Sequence, residues 1–134
     1  MIKKFNINTL DLNNTGIGIK FPLSNDNRYF FGVNYTTLDQ IKTNLLCFLQ
    51  TGKGERIMIP EYGTNLSQLI FNNNDYTIII DNLKTDLKKN FPYLTIETLS
   101  LEQDIYNEHI IKINLEFSMP GEKKIQNLET IYEI

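Results

Sequence analysis

Few residues in this chain are of a type that does chemistry, and their spacing decides what each can be. The one thiol, Cys47, falls within a helical repeat beside its apolar stripe. A nucleophilic thiol needs a base within hydrogen-bond reach, and the one imidazole, His109, lies far along the chain on or beside a strand edge. Cys47 therefore reads as a small apolar filler, and His109 as a surface or turn residue. Glu55 and Glu61 flank a loop that could bring them together. A glycosidase places two such groups ~5–9.5 Å apart across a sugar cleft, yet no aromatic residues that would line one are grouped around this pair. Gly52-Lys53-Gly54 follows a helix instead of leading into one, and Gly16-Ile17-Gly18 lacks a third glycine and a following helix, so neither cradles a phosphate. One Cys and one His cannot make a zinc site or an internal disulfide, so no metal and no cofactor is expected.

What remains is the segment from Thr51 to Leu66, which holds three glycines, one proline and the adjacent acid–base pair Glu55-Arg56 between two helical stretches. Arg56 carries a planar fork able to hold a carboxylate or several carbonyls at once. Glu55 can cap a helix end or pair with a base. Two readings stand for Gly54, Glu55, Arg56, Pro60 and Gly63: a rigid internal brace, or a docking surface for a neighbouring subunit.

The elements that position this loop follow from periodicity. Gly16 to Pro22 alternates as a short strand ended by Pro22, Ser24 to Arg28 is a polar loop, and Tyr29-Phe30-Phe31-Gly32-Val33 is a strand or an extended plug. Thr37 and Gln40 have capping-box spacing ahead of the stripe Leu38, Ile41, Leu45, Phe48 and Leu49, and Gly52 is placed to close that helix in the left-handed conformation. A shorter helix runs from Asn65 to about Phe71, burying Leu66, Leu69 and Ile70. After a turn at Asn72-Asn73-Asn74, Asp75 is a natural N-cap for a third helix with the stripe Tyr76, Ile79, Ile80, Leu83 and Leu87. Asp75 and Asp81 near its start and Lys84, Lys88 and Lys89 near its end suit the helix dipole, and Phe91-Pro92 ends it.

The rest is β. Leu94-Thr95-Ile96 and Leu99-Ser100-Leu101 alternate in opposite phases, which a bulge near Thr98 reconciles. Ile111, Ile113, Leu115 and Phe117 form an inward face; turns fall at Asp104 to Glu108 and Met119 to Glu122. The final strand, Ile125 to Ile134, has Leu128, Tyr132 and Ile134 on one side and Ile131 on the other, so it wants cover at the chain end. The fold class is α+β: about three helices on one face of a small antiparallel C-terminal meander, plus a short N-terminal strand.

A length of 134 residues beginning at Met1 suits a single domain over 1–134, with 1–15 as a strand, a helix start or an N-terminal arm and 94–134 as the meander. Lys plus Arg gives 13 and Asp plus Glu 16, a formal net charge of −3, which argues against a dedicated nucleic-acid binder. Hydrophobic residues at 41% and charged residues at 22% are ordinary globular usage and argue against dominant disorder. No apolar run reaches the ~20 residues of a bilayer span, and the N-terminus lacks the apolar core of a secretory signal. The chain has no Ala and no Trp, so its helices rely on burial more than on propensity.

At the central loop the sequence resembles the small baseplate wedge proteins, or sheath initiators, of contractile phage tails, a lysozyme-like wedge family related to type VI secretion baseplate proteins. The resemblance runs through Gly16-Ile17-Gly18 with Phe21-Pro22, Leu49 and Thr51, Gly54-Glu55-Arg56, Pro60, Gly63, Leu66, Leu69 and Phe71, and a closing Asn127-Leu128 with an apolar strand. It departs where the family often carries a Glu-Pro-Arg triplet after the long helix: here stands Phe91-Pro92-Tyr93.

The resemblance implies a structural, non-enzymatic protein of the virion tail baseplate, assembled in the host cytoplasm in multiple copies around the tail axis. Its implied partners are other baseplate wedge proteins and the tail sheath protein, with the tail tube or hub as further candidates and neither nucleic acid nor membrane among them. The terminal strand, through Leu128, Ile131, Tyr132 and Ile134, is expected to bind a partner by β-strand addition. Two alternatives stand beside this: a peptidoglycan-cleaving enzyme using Glu55 and Glu61, and a regulatory binding module of the anti-adaptor type that one branch of the fold provides.

Overall fold

A computed structural model describes residues 16–21, 23, 31–71 and 75–133, the side chains of Leu69 and Ile70 excepted. The expectations for residues 1–15, Pro22, Ser24 to Phe30, Asn72 to Asn74, Leu69, Ile70 and Ile134 lie outside the described residues. The chain forms two compact units, 1–47 and 48–134, the boundary falling inside a helix. The architecture is α+β, with three helices, a two-stranded antiparallel sheet and a three-stranded antiparallel sheet among the described residues. No helix among them is long and apolar enough to cross a membrane.

In the first unit β1 (Gly18–Ile19) pairs antiparallel with β2 (Val33–Asn34). Of the expected Tyr29–Val33 strand or plug, the described residues are Phe31, Gly32 and Val33, and among these Val33 is in the strand. Helix α1 (Thr37–Gln50) follows. Thr36, not Thr37, caps it: the Thr36 hydroxyl accepts from the Asp39 amide at 3.2 Å, and its carbonyl accepts from the Gln40 amide at 3.2 Å. The expected reach of Gln40 back to the cap is replaced by a better offer. Its Oε1 accepts from Asn34 Nδ2 at 3.1 Å and its Nε2 donates to Asn44 Oδ1 at 3.0 Å.

Asn34 is the centre of this unit's polar bonding. Only 2% exposed, it donates from Nδ2 to Thr43 Oγ1 at 2.9 Å, to Gln40 and, at 3.4 Å, to the Ile19 carbonyl. Strand, hairpin partner and helix thus share one amide. A Cβ at Gly18 would meet the Gln40 carboxamide, so a larger residue there would displace Gln40 from its bond with Asn34. Asn34→Ala leaves the buried Thr43 hydroxyl and Gln40 oxygen short of a donor, and is expected to cost about 1–3 kcal/mol. Chemical denaturation of the full chain checks this.

The second unit is built around one buried sheet face. Strands β3 (Thr95–Gln103), β4 (Ile110–Ser118) and β5 (Ile125–Glu133) pair antiparallel in the order β3-β4-β5. Ile111, Ile113, Leu115 and Phe117 of β4 are fully buried, while Lys112 on the alternate face is exposed, so period-two patterning has set the faces as expected. The phase change in β3 is a register shift between Ile96 and Thr98, which absorbs Glu97 as the extra residue. Helix α2 (Leu66–Phe71) packs against α3 (Tyr76–Asn90), and α3 packs against β3. Asp75 caps α3 by accepting from the Thr77 amide, and the Phe91 amide closes its end on the Leu87 carbonyl at 2.7 Å. Ile79, Leu83 and Leu87 form its buried stripe; Ile80 is half-buried and Tyr76 is exposed at the rim. There Tyr76 donates its hydroxyl proton to Gln103 Oε1 at 3.2 Å.

Candidate functional site

The segment between α1 and α2 is held by its own backbone. The Thr64 amide donates to the Thr51 carbonyl at 2.9 Å and the Lys53 amide to the Thr64 carbonyl at 3.3 Å, joining the two ends of the loop in a short parallel bridge between Gly52 and Thr64. Across its middle, the Gly54 amide donates to the Pro60 carbonyl at 2.8 Å. The left-handed glycines of this loop are Gly54 (φ 91°) and Gly63 (φ 113°), not Gly52. Gly52 is occupied in the bridge, and the chain leaves α1 without the left-handed closure expected there. Buried Thr64 also donates from its hydroxyl to the Leu49 carbonyl at 3.4 Å, tying the loop to the end of α1.

Side chains add the rest of the brace. Lys53 Nζ lies 3.0 Å from the part-buried Asp86 Oδ1 and ties one shoulder of the loop to α3. The Glu61–Lys89 pair on the other shoulder, 3.5 Å apart, is exposed on both sides and adds little. The Arg56 guanidinium stacks over the Tyr62 ring, 4.8 Å from its centroid. Tyr62 meets Phe48 edge-on at 5.1 Å, Phe48 meets Phe91 at 5.4 Å, and Phe91 meets Tyr93 at 6.2 Å. Arg56 is therefore the outer rung of an aromatic ladder that ends in Phe91-Pro92-Tyr93. Arg56→Ala removes only that rung and is expected to cost about 0.5–1 kcal/mol, with Arg56→Lys retaining part of it in the same denaturation measurement.

What the brace presents is apolar. Ile57 is 93% and Met58 88% exposed at the tip, with Ile59 half-exposed behind them. Glu55 and Glu61 are both exposed, and Glu61 faces Lys89. Cys47 is part-buried, and burial pushes its thiol above its ordinary value, which keeps it protonated at neutral pH. His109 is exposed in the β3–β4 turn, where its amide donates to Asn107 Oδ1 at 3.0 Å.

The other candidate surface is β5. It pairs with β4 along its whole length, and no strand among the described residues pairs with its other side. Leu128 is buried opposite Leu115 and anchors the strand to the core; Tyr132 is half-buried on the same face. Ile131 is 58% exposed on the opposite face, joined there by Ile125 at 53%. Sequence reasoning passed over Ile57 and Met58, and also Ile105 and Tyr106, which stand almost fully exposed in the β3–β4 turn. Consecutive apolar residues within a glycine- and proline-rich loop were the available signal for the first pair.

The sequence pattern of the baseplate wedge protein gp25 family matches residues 36–123. No curated protein matches the chain. Among solved structures, a Geobacter sulfurreducens protein provisionally named a tail lysozyme is similar with a TM-score of 0.65 and 20% identity, over 74% of this chain and 92% of that one. A chain of the type VI secretion system baseplate complex is similar with a TM-score of 0.59 and 14% identity, over 71% of this chain and 91% of that one. A chain of the anti-feeding prophage baseplate follows with a TM-score of 0.54 and 16% identity, over 86% and 82%. At these identities the likeness is one of fold.

Proposed function

This chain belongs to the baseplate wedge protein gp25 family, and from that premise we propose that it is a structural component of a contractile-tail baseplate that nucleates the sheath by β-strand addition at β5. In this reading it is present in multiple copies around the tail axis, bound to other baseplate proteins and to the first sheath subunits. The observation that carries it is the side of β5 that no strand among the described residues pairs, on a nine-residue strand with exposed Ile125 and Ile131 in a well-anchored sheet. An edge of that length is an aggregation hazard in a lone protein and an asset in an assembly. The braced loop from Gly52 to Thr64, organised by Gly54, Arg56, Pro60 and Gly63, serves as a second docking surface through its Ile57-Met58 tip.

The same reading is non-enzymatic. A glycosidase acid is kept protonated by an apolar pocket, whereas Glu55 and Glu61 are both exposed. Folded protein at high concentration is expected to leave a cell-wall suspension turbid.

The test is Ile131→Asp in assembling particles, viewed by electron microscopy with circular dichroism as the folding control. Baseplates carrying bare or unsheathed tubes are the expected result. Normally sheathed tails with this variant would remove sheath nucleation from the β5 edge.

A further inference from the structure

We propose that the strand received by β5 comes from another protein and carries basic side chains two places on either side of an apolar one. This rests on the strand-addition reading above and specifies its partner. Along the exposed face of β5 run Glu129, Ile131 and Glu133, an acid–apolar–acid series at successive same-face positions. Their neighbours across the sheet leave those acids unanswered. Asn114 lies opposite Glu129 and Ile110 opposite Glu133. Lys112, opposite Ile131, directs its ammonium to Asp104 Oδ2 at 3.8 Å. Neither Glu129 nor Glu133 has an ion-pair partner among the described residues.

A strand added on the side of β5 left unpaired among the described residues places its own side chains within about 5 Å of these, where opposite charges stabilise and like charges repel. The series reads the same in both directions, so the complement is basic–x–apolar–x–basic whether the incoming strand runs parallel or antiparallel. The same symmetry argues against a second copy of this chain: antiparallel pairing of two β5 edges about Ile131 sets Glu129 of each against Glu133 of the other. An anionic membrane surface is repelled by the same two carboxylates. The occupant that fits is an extended basic segment of a different protein.

The experiment titrates the full chain, at low salt and by fluorescence anisotropy, with three short synthetic strand peptides. One has the core Lys-Thr-Ile-Thr-Lys, the second Glu-Thr-Ile-Thr-Glu, and the third is the first with alternate backbone amides N-methylated. The basic peptide is expected to bind about tenfold more tightly than the acidic one, from two cross-strand charge pairs. The Glu129→Lys, Glu133→Lys double variant, altered only at exposed positions, reverses that order. The N-methylated peptide, unable to pair its backbone, does not bind. Equal binding of the basic and acidic peptides, lost on N-methylation, overturns the charge pattern while leaving strand addition in place. Failure of both to bind, or undiminished binding of the N-methylated peptide, overturns strand addition at this edge and the partner chemistry with it.

Discussion

Phe48→Ala is expected to lower the unfolding free energy by about 3–5 kcal/mol. Phe48 has no exposed surface, and its ring is the step that joins Tyr62 of the loop to Phe91 at the end of α3. Removing it forfeits the transfer energy of a whole aromatic ring and opens a cavity. Two edge-to-face contacts go with it, each worth about 0.5–1.5 kcal/mol beyond the buried area. Set against a typical total of roughly 5–15 kcal/mol, that loss is large. It appears as a fall in the denaturant midpoint with the slope retained. Phe48→Leu, which keeps most of the apolar volume, should lose clearly less. A loss below about 1 kcal/mol for Phe48→Ala would mean that the ladder is decoration and that the backbone bonds alone hold the loop.

The ladder also shows where sequence reading stops. Phe48 was legible as a core residue because it sits on the i, i+3, i+4 stripe with Ile41, Leu45 and Leu49. The inward face of β4 and the bulge beside Thr98 were legible for the same reason: period-two alternation and its interruption are local facts. Asp75 as a cap was legible because a cap acts within three residues. The Thr36 cap lies one residue before the expected Thr37, since two adjacent threonines offer the same hydroxyl, and Gln40, expected to reach back to the cap, accepts from Asn34 instead. Nothing in the sequence joins Arg56 to Tyr62, or Lys53 to Asp86, because those pairings depend on how the loop folds back and where α3 lies. The loss of the charged triplet at Phe91-Pro92-Tyr93 was plain from the resemblance. That its aromatic replacements pack against each other, with Phe91 reaching the ring that supports the loop, is a tertiary fact.

Gly63→Ala is expected to cost about 2–4 kcal/mol, from two terms that a neighbouring glycine separates. At φ 113° a side chain is disfavoured in itself, by about 1–3 kcal/mol. A Cβ at Gly63 would also lie 2.5 Å from the Thr51 carbonyl oxygen and 3.0 Å from the Gly52 carbonyl. Those are backbone atoms of the bridge that closes the loop, so no side chain can swing aside; the bridge itself must open. Gly54 has a similar backbone angle of 91° but nothing within 4 Å of where its Cβ would sit. Gly54→Ala should therefore show the conformational term alone, and the difference between the two variants in denaturant unfolding reads out the steric one. Gly63→Ala shifts the relation between Gly52 and Thr64, and with it the seat of the exposed Ile57-Met58 tip. If that tip docks on a neighbouring subunit, Gly63→Ala lowers baseplate assembly at temperatures where the variant is still folded, and Gly54→Ala does so less. Equal stability and equal assembly for the two variants would mean that the close approach at Gly63 relaxes without consequence, and the loop would lose its claim to be a rigid platform.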